Sequence, residues 1–316
     1  MANSKKGAAK VQKLPQNKSI GKPQVAPGSA YKGLSAAQVA EALPMTSYIS
    51  VVAVHSTLWI FTTLYLPRTT FLSELTTPEW DSVQLSSKDR PQHPFMVALT
   101  MNPTVTLACI CAGAVVLQGW WAGWMRNWWL ELGIRASGDE RRTEKAFHDC
   151  QKLTMVRNAW LATFTASFMI HVALVLFGAP IASHVLKTYL LALLVSIMTV
   201  YTPAYVIGAP TLGNKSLSVV KRWTWVRLFA EFSARNPVER ALVYPVCGTL
   251  FGCWLGVIPI ALDWDRPWQA WPLTPAFGAI AGYIVSSMLA LTIHTVVQLA
   301  EENIQAQLEV KDSKMS

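Results

Sequence analysis

Residues 241–262 read ALVYPVCGTLFGCWLGVIPIAL, without a charge, between Arg240 and Asp263. A helix needs roughly 20 apolar residues to cross about 30 Å of hydrocarbon, so this stretch has the length and character of a membrane span. Five further uncharged runs qualify on either side of it. They are 46–66, ending at Pro67-Arg68; 95–125, with Pro103 set to kink it; 158–179, closing in Phe177-Gly178-Ala179-Pro180; 188–208, with Pro203 near its end; and 274–300, stopping at Glu301-Glu302. The sequence predicts an all-α polytopic membrane protein, a six-transmembrane-helix bundle with short loops. Residues 1–44 read as a basic disordered cytosolic tail, 45–300 as the membrane domain and 301–316 as a cytosolic C-terminal tail.

Composition agrees. Of 316 residues, 52% are apolar and only 14% charged, where a soluble domain carries about 25% charge. That excludes a large soluble enzyme, and it excludes disorder over most of the chain. Lys and Arg number 27 against 18 Asp and Glu, and their location decides what the excess means. With a cytosolic N-terminus, segments 1–45, 126–157, 209–240 and 301–316 hold 7, 7, 6 and 2 of them. The opposite side keeps only Arg68, Lys88, Arg90, Lys187 and Arg266. This is the positive-inside distribution. The charge therefore reads as an orientation signal, assisted by anionic lipid, and not as a nucleic-acid footprint. The tail 1–44 has seven Lys, one Glu and no apolar core behind its positive residues, so it does not read as a signal peptide.

Little in the spans suggests chemistry. The runs hold no Asp, Glu, Lys or Arg; their ionisable side chains of note are His55, His171 and His294, each expected to be a neutral, hydrogen-bonded histidine inside the bundle. Cys109-x-Cys111 lacks the spacing of a zinc site; neither a metal nor a cofactor is expected, and five cysteines imply no disulfide framework. Trp120, Trp121, Trp124, Trp128 and Trp129 read as an aromatic belt. Residues 219–232, mixing Trp and Phe with Lys221, Arg222 and Arg227, read as a helix on the cytosolic interface. Asn236-Pro237-Val238-Glu239 carries the marks of a helix start.

Two features stand out. The fifth span has Gly248, Gly252 and Gly256 at four-residue spacing; the sixth has Gly278, Gly282, Ser286 and Ala290. Such ridges let helix backbones approach closely. Either the two spans pack on each other, or one ridge receives a helix from another protein. Between these spans lies Asp263-Trp264-Asp265-Arg266-Pro267-Trp268-Gln269-Ala270-Trp271-Pro272. As a plain turn, its Trp residues anchor at headgroup depth and Arg266 pairs with Asp263 or Asp265. As a functional loop, Asp263, Trp264, Asp265, Arg266 and Trp268 face a partner or a polar lipid headgroup.

That loop, with Leu176-Phe177-Gly178-Ala179-Pro180 and the run from His184 to Leu194 (HVLKTYLLALL), resembles the Pig-F family of the glycosylphosphatidylinositol (GPI) anchor pathway, its fungal members above all. The resemblance covers about 45–300. It implies an endoplasmic reticulum membrane protein without a catalytic domain, the stabilising subunit of large multispanning ethanolamine phosphate transferases. Those enzymes are metal-dependent in their lumenal domain and move ethanolamine phosphate from phosphatidylethanolamine onto GPI mannoses. Besides that transferase, membrane lipids, the GPI precursor and phosphatidylethanolamine are the implied contacts. The other function class is a small integral enzyme or lipid transporter acting alone, and only the Asp263/Asp265/Arg266 loop comes near the titratable cluster it needs.

Overall fold

The computed structural model describes residues 43–69, 93–133, 151–211, 213, 216–262, 264 and 266–315. Residues 1–42 of the basic tail, most of the 67–94 loop, Asp263 and Asp265 lie outside the described residues. Among those described, six helical segments are long and apolar enough to cross a membrane: Met45–Arg68, Pro103–Leu132, Lys152–Leu176, Val185–Val206, Pro237–Ala261 and Leu273–Leu308. The all-α six-span reading holds.

Helix α1 is Met45–Leu64. Its buried residues Tyr48, Val51, Val52, His55, Ser56, Trp59, Thr62 and Thr63 keep the three-and-four spacing of one helical face. Ile49, Val54, Leu58 and Phe61 are exposed. His55, Ser56, Thr62 and Thr63 turn inward beside Val51, Val52 and Trp59, and large apolar side chains cover the outer face, as suits a helix solvated by lipid.

The second run is not one kinked helix. It divides into α2, Pro94–Thr100, and α3, Pro103–Gly133. Pro103 has no N–H to give to the preceding turn and opens a new helix instead. Asn102 Oδ1 accepts from the Val105 N–H at 3.3 Å, and Thr106 Oγ1 donates to Leu99 O at 2.9 Å across the break.

Helix α4 is Lys152–Leu176. Gly178 ends it at φ +101°, the left-handed position that favours glycine, with Ala179 N donating to Leu174 O at 2.9 Å. Helix α5, Val185–Ser196, passes through a π turn at Ile197–Tyr201 into α6, Thr202–Val206. The wider turn precedes Pro203, whose ring and missing N–H disrupt a regular ladder. Helix α7, Ser216–Phe229, stops three residues before the expected end, and α8 is Pro237–Leu255. Helix α9 runs unbroken from Leu273 to Met315; it does not stop at Glu301, because Glu, Gln, Ala and Leu beyond that point are good helix formers.

Two larger clusters stack along the bundle, and a smaller third gathers Ala122, Ala159, Tyr201, Ala204 and Tyr205. At the end where α1 and α8 begin, Tyr48, Trp121, Met125, Trp128, Leu228 and Val238 pack together. Towards the other end the core is built on Trp59, Leu107, Ile110, Leu194, Ala279 and Tyr283. The tryptophan run is therefore mostly core and not a belt. Trp121, Trp128 and Trp129 are buried, and only Trp120 and Trp124 are exposed. Neighbours in sequence point about 100° apart on a helix, so one row turns inward while the pair at i, i+4 turns outward.

Charges do enter the crossing helices. Arg126 is buried in α3, donates to Tyr205 O at 3.1 Å and stacks over the Tyr205 ring at 5.1 Å. Glu239 is fully buried in the first turn of α8. Arg227 of α7 meets it bidentately, with Nη1 to Oε2 at 3.0 Å and Nη2 to Oε1 at 2.5 Å, and the Arg235 N–H donates to Oε2 at 2.7 Å. Asn236 holds the N-cap position, but its side chain makes no capping bond; the Glu239 carboxylate reaches back in its place.

Candidate partner-binding face

Helices α8 and α9 cross antiparallel with their backbones in contact. A Cβ built on Gly252 would run into the Gly278 carbonyl, one on Gly282 into the Gly248 carbonyl and one on Gly256 into the Thr274 carbonyl; one on Gly248 would meet the Ser286 side chain. No side chain larger than hydrogen fits at these positions without parting the helices. The two ridges lie against each other within the chain.

Residues between the helices form two 3₁₀ turns, Ile258–Ala261 and Pro267–Gln269. Gln269 ties them together. Its Nε2 donates to Pro259 O at 2.6 Å and Leu262 O at 2.8 Å, while its Oε1 accepts from the Arg266 N–H at 2.8 Å. A primary amide has the two donors and the acceptor this turn needs. Trp271 Nε1 donates to Thr188 Oγ1 at 3.0 Å and fixes the loop to the start of α5. Trp264 and Trp268 have ring centroids 5.7 Å apart, and Trp264 is exposed. Arg266 enters the closure through its backbone N–H; its expected partners Asp263 and Asp265 lie outside the described residues. Nothing in the spacing of the loop residues marks Gln269 or Trp271 as its ties. The one available signal was that a neutral amide and an indole N–H beside the membrane need partners.

Beside the ridge opens an apolar groove of about 630 Å³. Gly252, Gly256, Gly278 and Gly282 form its floor, Phe251, Phe277 and Val285 stand along it, and Trp268 and Thr274 lie at the loop end. Leu64 of α1 and Leu99 of α2 close the far side. Such a groove suits an apolar chain or helix, and glycine floors expose backbone for close contact.

The three histidines sit among aromatic rings. His55 stacks on Trp121 at 4.7 Å, His171 lies 6.0 Å from Tyr189, and His294 meets Tyr48 edge-on at 5.6 Å. The expected hydrogen bonds are missing at His55 Nε2, His171 Nδ1 and His294 Nε2. Among the described residues, no group of three or more His, Cys, Asp or Glu is arranged to hold a metal.

The model of the GPI biosynthesis protein family Pig-F matches residues 91–291. The human protein named GPI ethanolamine phosphate transferase, stabilizing subunit, is 28% identical over 186 residues, covering 59% of this chain and 74% of that protein. Glycosylphosphatidylinositol anchor biosynthesis protein 11 of Pyricularia oryzae is 39% identical over 127 residues, 40% of this chain and 42% of that one. Its namesake in Yarrowia lipolytica is 36% identical over 136 residues, 43% and 54% of the two chains. No solved structure matches.

Proposed function

The chain belongs to the GPI biosynthesis protein family Pig-F, and from that premise we propose that it is a non-catalytic accessory subunit of the transferases that add ethanolamine phosphate to the mannoses of GPI precursors. One observation carries this reading: the family match runs through the membrane domain, and the human and mouse relatives bear the name of a stabilizing subunit. Its partner is then a large multispanning transferase, held with this chain in the endoplasmic reticulum membrane, with both termini of this chain cytosolic.

The geometry suits that role. A subunit that stabilises a larger one by membrane contact needs a rigid apolar face, since lipid tails give helices no hydrophobic drive to associate and close packing must supply it. The locked α8–α9 hairpin and its groove are such a face. We assign the groove to a transferase helix, and the loop from Asp263 to Trp268 to the transferase's lumenal side or to a substrate headgroup, GPI precursor or phosphatidylethanolamine.

Depleting the protein tests the reading. The expected outcome is a fall in transferase abundance on immunoblots, together with GPI precursors lacking ethanolamine phosphate by mass spectrometry. Normal transferase levels with complete precursors would sink it, and so would transfer of ethanolamine phosphate by the purified chain alone, which is the behaviour of an independent enzyme.

A further inference from the structure

Three polar side chains from three helices lie at the end of the bundle where α1 and α8 begin, with a fourth one turn further along α9. Tyr48 lies in the first turn of α1 and Arg240 in the first turn of α8. His294 is 21 residues along α9 from Leu273, about 31 Å at 1.5 Å per residue, a length comparable to the thickness of the hydrocarbon. The Tyr48 and His294 rings meet edge-on at 5.6 Å, and the Arg240 guanidinium acts electrostatically on both. Gln298 follows His294 by one helical turn and shares its face.

Three of these side chains carry an unmet polar atom. Arg240 Nε, His294 Nε2 and Gln298 Oε1 are each buried without a hydrogen-bond partner. The amide orientation of Gln298 is fixed by its Nε2, which donates to Glu302 Oε1 at 3.0 Å; turning it over would set oxygen against carboxylate. The acid beside Arg240 in the chain, Glu239, is already engaged by Arg227 and the Arg235 N–H. Leaving a buried charged donor unmet is costly. The group that fits must accept from the guanidinium and imidazole N–H and must donate to the amide oxygen. At the edge of a bilayer, a phosphate with a hydroxyl or ammonium beside it has that pattern. Lys221 and Arg222 of α7 add a field that draws anionic headgroups.

We propose that Arg240, His294 and Gln298 hold the headgroup of a phospholipid that carries a hydrogen-bond donor next to its phosphate, as inositol and ethanolamine lipids do and choline lipids do not. The site lies at the opposite end of α8 and α9 from the partner-binding loop, so its failure leaves the accessory-subunit reading untouched.

The test uses the full chain, delipidated in mild detergent and returned to nanodiscs of phosphatidylcholine alone or with added phosphatidylinositol or phosphatidylethanolamine. Native mass spectrometry reads the retained lipid, and thermal unfolding reads its effect on Tm. The donor-bearing lipids should be retained and should raise Tm, while phosphatidylcholine should be lost. Arg240→Gln should weaken retention about tenfold or more, the worth of one charge-assisted hydrogen bond. Gln298→Met keeps the phosphate contacts and should abolish only the discrimination against phosphatidylcholine; it also serves as the test should Arg240→Gln misfold. Exposed Arg235→Gln should change nothing. Equal retention of phosphatidylcholine by the native chain overturns the proposal, as does unchanged retention in both site variants. Full displacement of lipid by inorganic phosphate also overturns it, since the ligand would then be the free ion.

Discussion

Gln269 closes the α8–α9 loop with three side-chain hydrogen bonds, and this separates two neighbouring substitutions. Gln269→Leu strands two carbonyls and an N–H at the membrane edge and should cost about 1–3 kcal/mol, read as a lower Tm of the purified chain. Arg266→Ala leaves the backbone bond in place, so Tm should hold; if the guanidinium faces partner or substrate, transferase abundance or transfer rate should fall, and Arg266→Lys should already be impaired because it lacks the bidentate fork. A fall in Tm for Arg266→Ala as large as that for Gln269→Leu would contradict this division. Glu239 gives a second test. Its carboxylate is fully buried against Arg227, whose side chain is 16% exposed. Breaking such a pair from one side typically costs about 3–5 kcal/mol, whereas replacing both members with apolar residues is often neutral. Glu239→Ala should therefore cut folded yield sharply, and an Arg227→Leu/Glu239→Leu double variant should recover it. Arg266 was conspicuous in the sequence because a charge beside apolar runs is rare. The Arg227–Glu239 pair was hidden, because twelve residues spanning a helix end and a turn carry no periodic mark.

At the scale of the helix, the ridges were legible and the faces were not. Gly248, Gly252, Gly256, Gly278 and Gly282 are the smallest residues at a regular spacing, and only close helix contact gives that spacing a purpose. Gly252→Leu or Gly282→Leu drives a branched side chain into the opposing backbone, where overpacking costs about 1–3 kcal/mol or more. Each should reduce monodisperse protein in size-exclusion chromatography, while Val296→Leu on the exposed side of α9 should not; normal assembly of both glycine variants would count against a tight contact. By contrast, the inward turn of Trp121, Trp128 and Trp129 could not be read from composition. Lipid and core select the same apolar residues, so polarity does not mark which side of α3 is inside. The end of a span is likewise not the end of a helix: Glu301-Glu302 mark where lipid stops, and α9 continues in sequence that favours helix anyway.

For the molecule as a whole, the unequal spread of Lys and Arg predicts that both termini and the 209–240 segment are cytosolic. The chain carries its own reporters in the acceptor sequons Asn17-Lys18-Ser19 and Asn214-Lys215-Ser216; their asparagines lie outside the described residues. Both should stay unglycosylated in cells, while a sequon introduced between residues 70 and 92 should be modified, as a gel-shift assay would show; glycan on Asn214 would reverse the orientation. The self-contained loop also bears on where it can sit. An unmet carbonyl or N–H in hydrocarbon is expensive, and the Gln269 amide satisfies the Pro259 and Leu262 carbonyls and the Arg266 N–H from within the loop. Those groups need no water, so the connection can lie at or just below headgroup depth without losing a hydrogen bond.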